Sequence, residues 1–283
     1  MSQLPATPAY LVVGHICTDR LADGVTLPGG TAFYAAHTAA RLGCAVGVVT
    51  ACAGDLPLAE LLPGIAWVRQ HSPITTVFEN HYQGGLRRQL VHARAAPIDL
   101  AAIPHAWRSA PLVHLAPIIN EIDPHADFAT LFPKATIAVT PQGWLRAVDA
   151  AGVVRAAPER LLTLPWRGVQ VIVLSEEDLA GDEALARAVA RRVPLLALTR
   201  AERGVTLFAG SAAVDVPACP ARVVDPTGAG DVFTAALLCR LQQGAAVDDA
   251  ARWGCAAAAC AIEAPGVAGL ATPEQILQRL RRP

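Results

Sequence analysis

Charge is scarce in this sequence, and what there is nearly cancels. Asp, Glu, Lys and Arg make up 17% of 283 residues and leave a formal net charge of -1. Such a chain carries no electrostatic footprint for nucleic acid or an anionic membrane, so any charged ligand must be handled by local groups. Paired cysteines are also missing. Cys17, Cys44, Cys52, Cys219, Cys239, Cys255 and Cys260 are scattered, odd in number and never spaced as CxxC. That excludes the common zinc and redox motifs and leaves reduced, buried thiols as the expectation. No apolar run reaches the roughly 18 residues of a membrane span, and residues 1–9 carry no basic leader, so a cytoplasmic protein without membrane or nucleic-acid partners is expected. No G-x-G-x-x-G turn follows the first strand, where Gly14-His15-Ile16 stands instead, which argues against a dinucleotide-binding dehydrogenase.

Apolar residues, by contrast, are abundant at 53%, which argues for a large buried interior and leaves apolar surface that a homodimer would use. The length suits one α/β domain, 1–283, with a small appendage. Apolar runs at 10–13, 45–50, 112–115, 136–139, 169–174 and 195–198 alternate with helix-like stretches such as 31–42 and 181–192. This alternation predicts a mostly parallel sheet flanked by helices. The segment 75–95 breaks the pattern: two strand-like runs joined by Gln83-Gly84-Gly85 predict a hairpin outside the main sheet. Residues 235–262, rich in alanine and interrupted only at 242–247, predict two closely packed helices.

The most informative stretch is Asp225-Pro226-Thr227-Gly228-Ala229-Gly230-Asp231, which runs from an extended segment through a Gly-rich turn into an apolar helix. Small residues let the backbone approach an anion, and the unpartnered amides and dipole of a helix N-terminus favour phosphate there. Gly228, Ala229 and Gly230 are the expected anion hole. Asp231 at the helix start suits either a capping carboxylate or a general base that takes the proton of an attacking hydroxyl, and local chemistry leaves both open.

The stretch resembles the C-terminal signature D-T-x-G-A-G-D of the ribokinase-like (PfkB) sugar kinases, with Pro226 in place of the usual threonine or serine. Gly29-Gly30-Thr31-Ala32-Phe33-Tyr34, followed by Ala40-Arg41-Leu42-Gly43, is similar to that family's first signature. The resemblance implies a three-layer α/β/α fold with a small β lid, and an ATP- and Mg2+-dependent kinase acting on a sugar or polyol hydroxyl. Asp231 would be the base and the Gly228, Ala229 and Gly230 amides would steady the transferred phosphate. It further implies that Asp19, Gly29, Gly30 and Tyr34 line the substrate. Ser175, Thr199, Glu202, Gly204, Thr227, Ala257 and Gly266 would border the nucleotide, and Asp178 and Glu177 would organise magnesium through water. Asp225 and Thr227 correspond to a monovalent-cation site. Three departures stand out: Tyr34 where many members have asparagine, Ser175-x-x-Asp178 for N-x-x-E, and Ala201 where glycine is usual.

Only nine residues lie between Asp19 and Gly29, leaving little room for lid strands there, so the 75–95 hairpin is the expected lid, with Asn80, Arg88 and Gln89 toward substrate. Arg146 suits a phosphate or a substrate group. The aromatic Tyr34, the short insert, the Thr76-x-Phe78-x-Asn80-x-Tyr82 strand and the 141–146 segment together resemble the inositol-kinase branch. Two other readings stay open: a nucleoside kinase in which Phe33, Tyr34 or Phe78 stacks on a base, and a catalytically silent ligand-binding member of the fold.

Overall fold

A computed structural model describes residues 6–21, 24–83 and 86–281. Gly84 and Gly85 of the expected hairpin turn lie outside the described residues. The first strand, β1 (Tyr10–Val13), is buried on both faces, as a continuous apolar run requires. Two short strands follow at once, β2 (Cys17–Arg20) and β3 (Thr26–Gly29), before helix α1 (Thr31–Arg41) and β4 (Val46–Cys52). Next come the one-turn helix α2 (Leu58–Leu61), β5 (Ala66–His71), and the hairpin strands β6 (Val77–Gln83) and β7 (Leu86–Ala93). The middle of the chain supplies β8 (Leu112–Leu115), the one-turn α3 (Phe128–Leu131), β9 (Thr136–Val139) and the ribbon β10 (Arg146–Val148) with β11 (Val154–Ala156). The C-terminal part contains β12 (Val171–Ser175), α4 (Glu183–Ala190), β13 (Leu195–Thr199), β14 (Val205–Ala209) and β15 (Ala212–Val216). Three helices close the chain: α5 (Ala229–Gln242), α6 (Val247–Ala261) and α7 (Pro273–Leu280).

Nine strands form the main sheet in the order β15-β14-β13-β12-β9-β8-β1-β4-β5, parallel except where β14 and β15 join antiparallel at one edge. Alternate residues of each strand feed two cores. Tyr10, Val12, Val171 and Val173 pack with α1, α5 and α6, while Leu11, Val13, Ile172 and Leu174 pack with α4 on the other face. The fold is therefore the α/β arrangement that the alternating apolar runs predict. Among the described residues no helix is long and apolar enough to cross a membrane.

The second sheet corrects one expectation. Its order is β3-β2-β6-β7, so the segment between Asp19 and Gly29 does contribute to lid strands, Arg20 ending β2 and residues 26–28 forming most of β3. A four-residue strand needs little chain, and β2 and β3 pair antiparallel, with Cys17 opposite Gly29 and Asp19 opposite Leu27. The lid is a four-stranded sheet in which β2 runs parallel to β6, Asp19 facing Phe78. The β10-β11 ribbon braces it, because Val91 donates to the Gly152 carbonyl at 2.8 Å.

Inside the main sheet His114, fully buried, bonds the Tyr10 hydroxyl through Nδ1 at 2.8 Å and the Thr140 hydroxyl through Nε2 at 3.0 Å. Burial pushes its imidazole down to a pKa of about 3, so the fold holds it neutral. Its unfolded counterpart titrates near 6.5, so the unfolded state binds the extra proton between these values. The stability from neutral His114 is thus fully present above about pH 6.5 and is lost as pH falls toward 3. Urea unfolding at about pH 7.5 and about pH 5 should show the loss, with a slope approaching about 1.4 kcal/mol per pH unit from this group. In His114→Gln, which is less stable at neutral pH, the slope should be shallower.

Candidate active site

Parallel α/β sheets bind ligands outside the carboxyl ends of their strands, where the strand order reverses. Here that point is the end of β1, because the chain goes next to β4 on one side and later to β8 on the other. Leaving β1, it makes the Gly14-His15-Ile16 turn into the lid strand that carries Asp19. It returns through Gly29 and Gly30 into α1. A Cβ on Gly29 would fall 2.2 Å from Asp19 Oδ2, so glycine is needed where β3 passes that carboxylate. Gly30, with φ 95°, caps α1.

From the other side comes the N-terminus of α5. Gly228 caps it in a left-handed conformation, φ 77°, and a Cβ there would meet the Tyr34 ring at 2.5 Å. The Gly-rich turn therefore sits directly on Tyr34, the aromatic residue that α1 presents in its first turn. Tyr34 is only 5% exposed. Burial raises its pKa, and the charges of Asp225, Asp19 and Asp231 raise it further. Cys17 responds in the same way: burial pushes its thiol up, Asp19, Glu121 and Asp231 add to the rise, and Arg146 opposes it. Gly29 against Asp19 and Gly228 against Tyr34 thus bring two half-buried carboxylates, Asp19 and Asp231, to the two sides of the α1 start.

On the lid side, Asn80 donates to Asp19 Oδ1 at 3.4 Å and accepts from Gln89 Nε2 at 3.0 Å. The pairing of Asn80 with Gln89 across β6 and β7 sets this chain of amides. Arg88 is corrected: it is exposed, and as the strand neighbour of buried Gln89 it points to the opposite face of the ribbon. Arg146 stands beside the lid sheet: its guanidinium lies 5.8 Å over the Phe78 ring, bonds the Ile118 carbonyl at 2.7 Å and reaches Gln142 Oε1 at 2.9 Å. Gln142 in turn donates to the Thr31 hydroxyl at 2.5 Å and ties this group to the start of α1. The proposed base-stacking residues Phe33 and Phe78 are buried, at 4% and 2% exposure.

The opposite side of α5's N-terminus is built from β12, β13 and the C-terminal turns. Asp225 accepts the Thr227 amide at 3.0 Å on one carboxylate oxygen and the Gly266 amide at 2.9 Å on the other. These amides hold its pKa below the usual carboxylate range against burial, which acts the other way and is the largest single influence. Asp225 thus clamps the Gly-rich loop to the Pro265-Gly266 turn. The Ala229 amide, expected in the anion hole, donates to the Pro226 carbonyl at 3.2 Å, which weights that role toward Gly228 and Gly230. A Cβ on Gly230 would meet nothing within 4 Å, so the outer side of the turn is open.

Ser175 and Asp178 close on each other: Asp178 Oδ2 accepts both the Ser175 amide and its hydroxyl at 2.8 Å. Half of that carboxylate is therefore committed to its own turn, and Glu177 is exposed. Thr199, paired with Ser175 across the strands, donates to the Leu174 carbonyl at 3.2 Å. Glu202 is exposed, and Gly204, φ 93°, returns the turn against the end of β15. Ala257 is corrected: at 2% exposure it packs in the core on α6 and leaves no surface for a base. Missing from the sequence reading was the group that fixes this turn. Arg200 reaches Glu176 at 2.5 Å and Glu183 at 2.6 Å while Arg203 pairs with the same Glu176. Nothing local in Glu176 or Glu183 marks them as partners of a residue some twenty positions later.

The pfkB family carbohydrate kinase profile matches residues 168–274, the part holding β12, β13 and the Gly-rich turn. Cytidine kinase of Thermococcus kodakarensis (strain ATCC BAA-918 / JCM 12380 / KOD1) is 26% identical over 86% of this chain and 92% of its own. Among solved structures, a pyrophosphate-dependent kinase in the ribokinase family, complexed with a pyrophosphate analog and myo-inositol, superposes with a TM-score of 0.77. It is 21% identical and covers 95% of this chain and 99% of its own. Arabidopsis thaliana ribokinase complexed with ribose and ATP gives 0.76 at 21% identity, covering 98% and 100%. These likenesses establish the ribokinase-like fold.

Two substitutions should act in opposite directions on stability. Ala201 holds φ 49°, a conformation costing an L-residue about 1–2 kcal/mol. Ala201→Gly should therefore raise the denaturation midpoint, by up to about 1 kcal/mol after glycine's greater unfolded-state freedom is subtracted. Gly228→Ala adds strained backbone and a clash with Tyr34, and should lower it by about 2 kcal/mol or more. Equilibrium unfolding in urea measures both.

Proposed function

We propose that the chain is a ribokinase-like (PfkB) carbohydrate kinase that transfers the γ-phosphate of ATP to a hydroxyl of a sugar or polyol, with Asp231 as general base. One observation carries the reading: the Gly-rich turn that leads into Asp231 rests on the Tyr34 ring in the first turn of α1, and Gly29, just before α1, rests on the Asp19 carboxylate. A carboxylate that can hold acceptor hydroxyls thus borders the same site as one that can take a proton. In the reaction the acceptor hydroxyl gives its proton to Asp231, its oxygen forms the new bond to phosphorus, and ADP leaves with the electrons of the broken P–O bond. The Gly228 and Gly230 amides and the α5 dipole steady the phosphoryl oxygens.

Magnesium would arrive on the phosphates with most of its waters, which Glu177 and Asp178 would meet on the donor side. Bound there, it would neutralise charge on the phosphates.

The acceptor reading favours a polyol such as myo-inositol, because Asp19, Asn80 and Gln89 form a polar chain under the lid. A nucleoside is the second reading, supported by the likeness to a cytidine kinase over most of the chain, although Phe33 and Phe78 are buried and would have to move to stack on a base.

The test is product formation across inositols, hexoses, pentoses and nucleosides, with ATP and with pyrophosphate as donor. Asp231→Asn should lower kcat by about a hundredfold or more with acceptor KM little changed, since it keeps the shape and removes the base. Turnover undiminished in that variant would refute the assignment of the base, and turnover on none of these acceptors would refute the kinase reading.

A further inference from the structure

The lid joins the body through four chain crossings: β1 to β2, β3 to α1, the stem before β6 and the stem after β7. All four meet at one residue outside the signatures discussed above. His15, fully buried, is itself the β1-to-β2 crossing. Its carbonyl oxygen lies where a Cβ on Gly30 would come within 2.7 Å, which is the β3-to-α1 crossing. Its ring bonds Thr76 Oγ1 through Nδ1 at 2.9 Å, just before β6, and the Ala96 carbonyl through Nε2 at 2.9 Å, just after β7.

The partners dictate the tautomer. A carbonyl only accepts, so Nε2 carries the proton, and Nδ1 accepts the Thr76 O–H. The Thr76 oxygen then accepts the Ala95 amide at 3.0 Å and closes the two stems on each other. Behind the ring, the His15 amide donates to Glu121 Oε1 at 3.1 Å. Glu121 also accepts the Ile118 and Ile119 amides, and Ile118 offers its carbonyl to Arg146. Burial pushes the His15 pKa down, which keeps the ring in the neutral form this pattern needs.

We propose that His15 is the positioning residue of the lid: its imidazole fixes where both stems leave the body, and so where Asp19, Asn80 and Gln89 stand relative to Asp231. His15 touches no reacting atom in this scheme and acts through Asp19 and Asn80. The proposal rests on the kinase reading for its catalytic consequence, but not for the hinge itself.

Three variants test it. His15→Phe keeps the ring volume without the bonds, Thr76→Val removes only the hydroxyl, and His15→Gln restores a donor toward Ala96. Two readouts are needed: hydrogen exchange of the ligand-free protein at Ala95 and Ala96, and separate KM values for acceptor and donor. We expect His15→Phe and Thr76→Val to speed exchange at the stems but not in β1 and β4. Acceptor KM should rise on the order of ten- to a hundredfold with donor KM unchanged, and His15→Gln should recover most of the loss. Folded variants with native stem exchange and native acceptor KM would overturn the proposal. So would a uniform rise in exchange through β1 and β4 with both KM values and kcat impaired alike. Should even the unaltered protein phosphorylate no acceptor, the kinase reading fails, while the stem exchange still decides the hinge.

Discussion

The arrangement of this site depends on a single close contact, the seating of Gly228 on the ring of Tyr34. One group begins α5 and the other belongs to the first turn of α1, so the contact fixes the two helix starts against each other at the carboxyl end of the sheet. No side chain other than hydrogen fits between loop and ring, and the left-handed backbone at Gly228 turns the chain into α5 so that Asp231 follows in its first turn. Tyr34 is a wall on which the Gly-rich turn rests. Burial raises the pKa of its phenol, and the charges of Asp225, Asp19 and Asp231 raise it further.

Around that contact the two halves of the site are held by different means. The side built from β12, β13 and the C-terminal turns is tied by short-range bonds and by ion pairs beyond the ends of those strands: Asp225 with its two amides, Ser175 with Asp178, and Arg200 between Glu176 and Glu183. Half-exposed pairs of that kind contribute modestly to stability but restrict geometry. On the lid side Asp19, Asn80 and Gln89 bond in a chain, and the lid is tied to the body through His15, Thr76 and Glu121. A substrate hydroxyl entering beside Asp19 would therefore meet groups whose positions are set by the stems of the lid rather than by the sheet itself.

Much of this was legible in the residues alone. The runs at 10–13, 112–115 and 136–139 are strands with those bounds, because a strand buried on both faces must be continuously apolar and leaves an unambiguous trace. The Gly-rich turn before an apolar helix was equally plain, since its chemistry is local. Less visible were β2 and β3. Cys-Thr-Asp-Arg and Thr-Leu-Pro-Gly are too short and too polar to announce strands, and they become strands by pairing with each other and with β6. Arg88 and Gln89, adjacent in sequence, could not be told apart until the pleat assigned them to opposite faces.

What the sequence determined by itself is what neighbouring residues decide among themselves: the alternating elements, the Gly-rich turn into α5 and the carboxylate in that helix's first turn. Tertiary structure alone decided which distant groups share a field. Asp19 and Asp231 stand more than two hundred positions apart, and the Arg200 pairs, the burial of Ala257 and the convergence of four crossings on His15 are equally non-local. Electrostatic and hydrogen-bonding partners are chosen by distance in space, and in a sheet whose strand order runs outward from β1 in both directions, distance in space has little to do with distance along the chain.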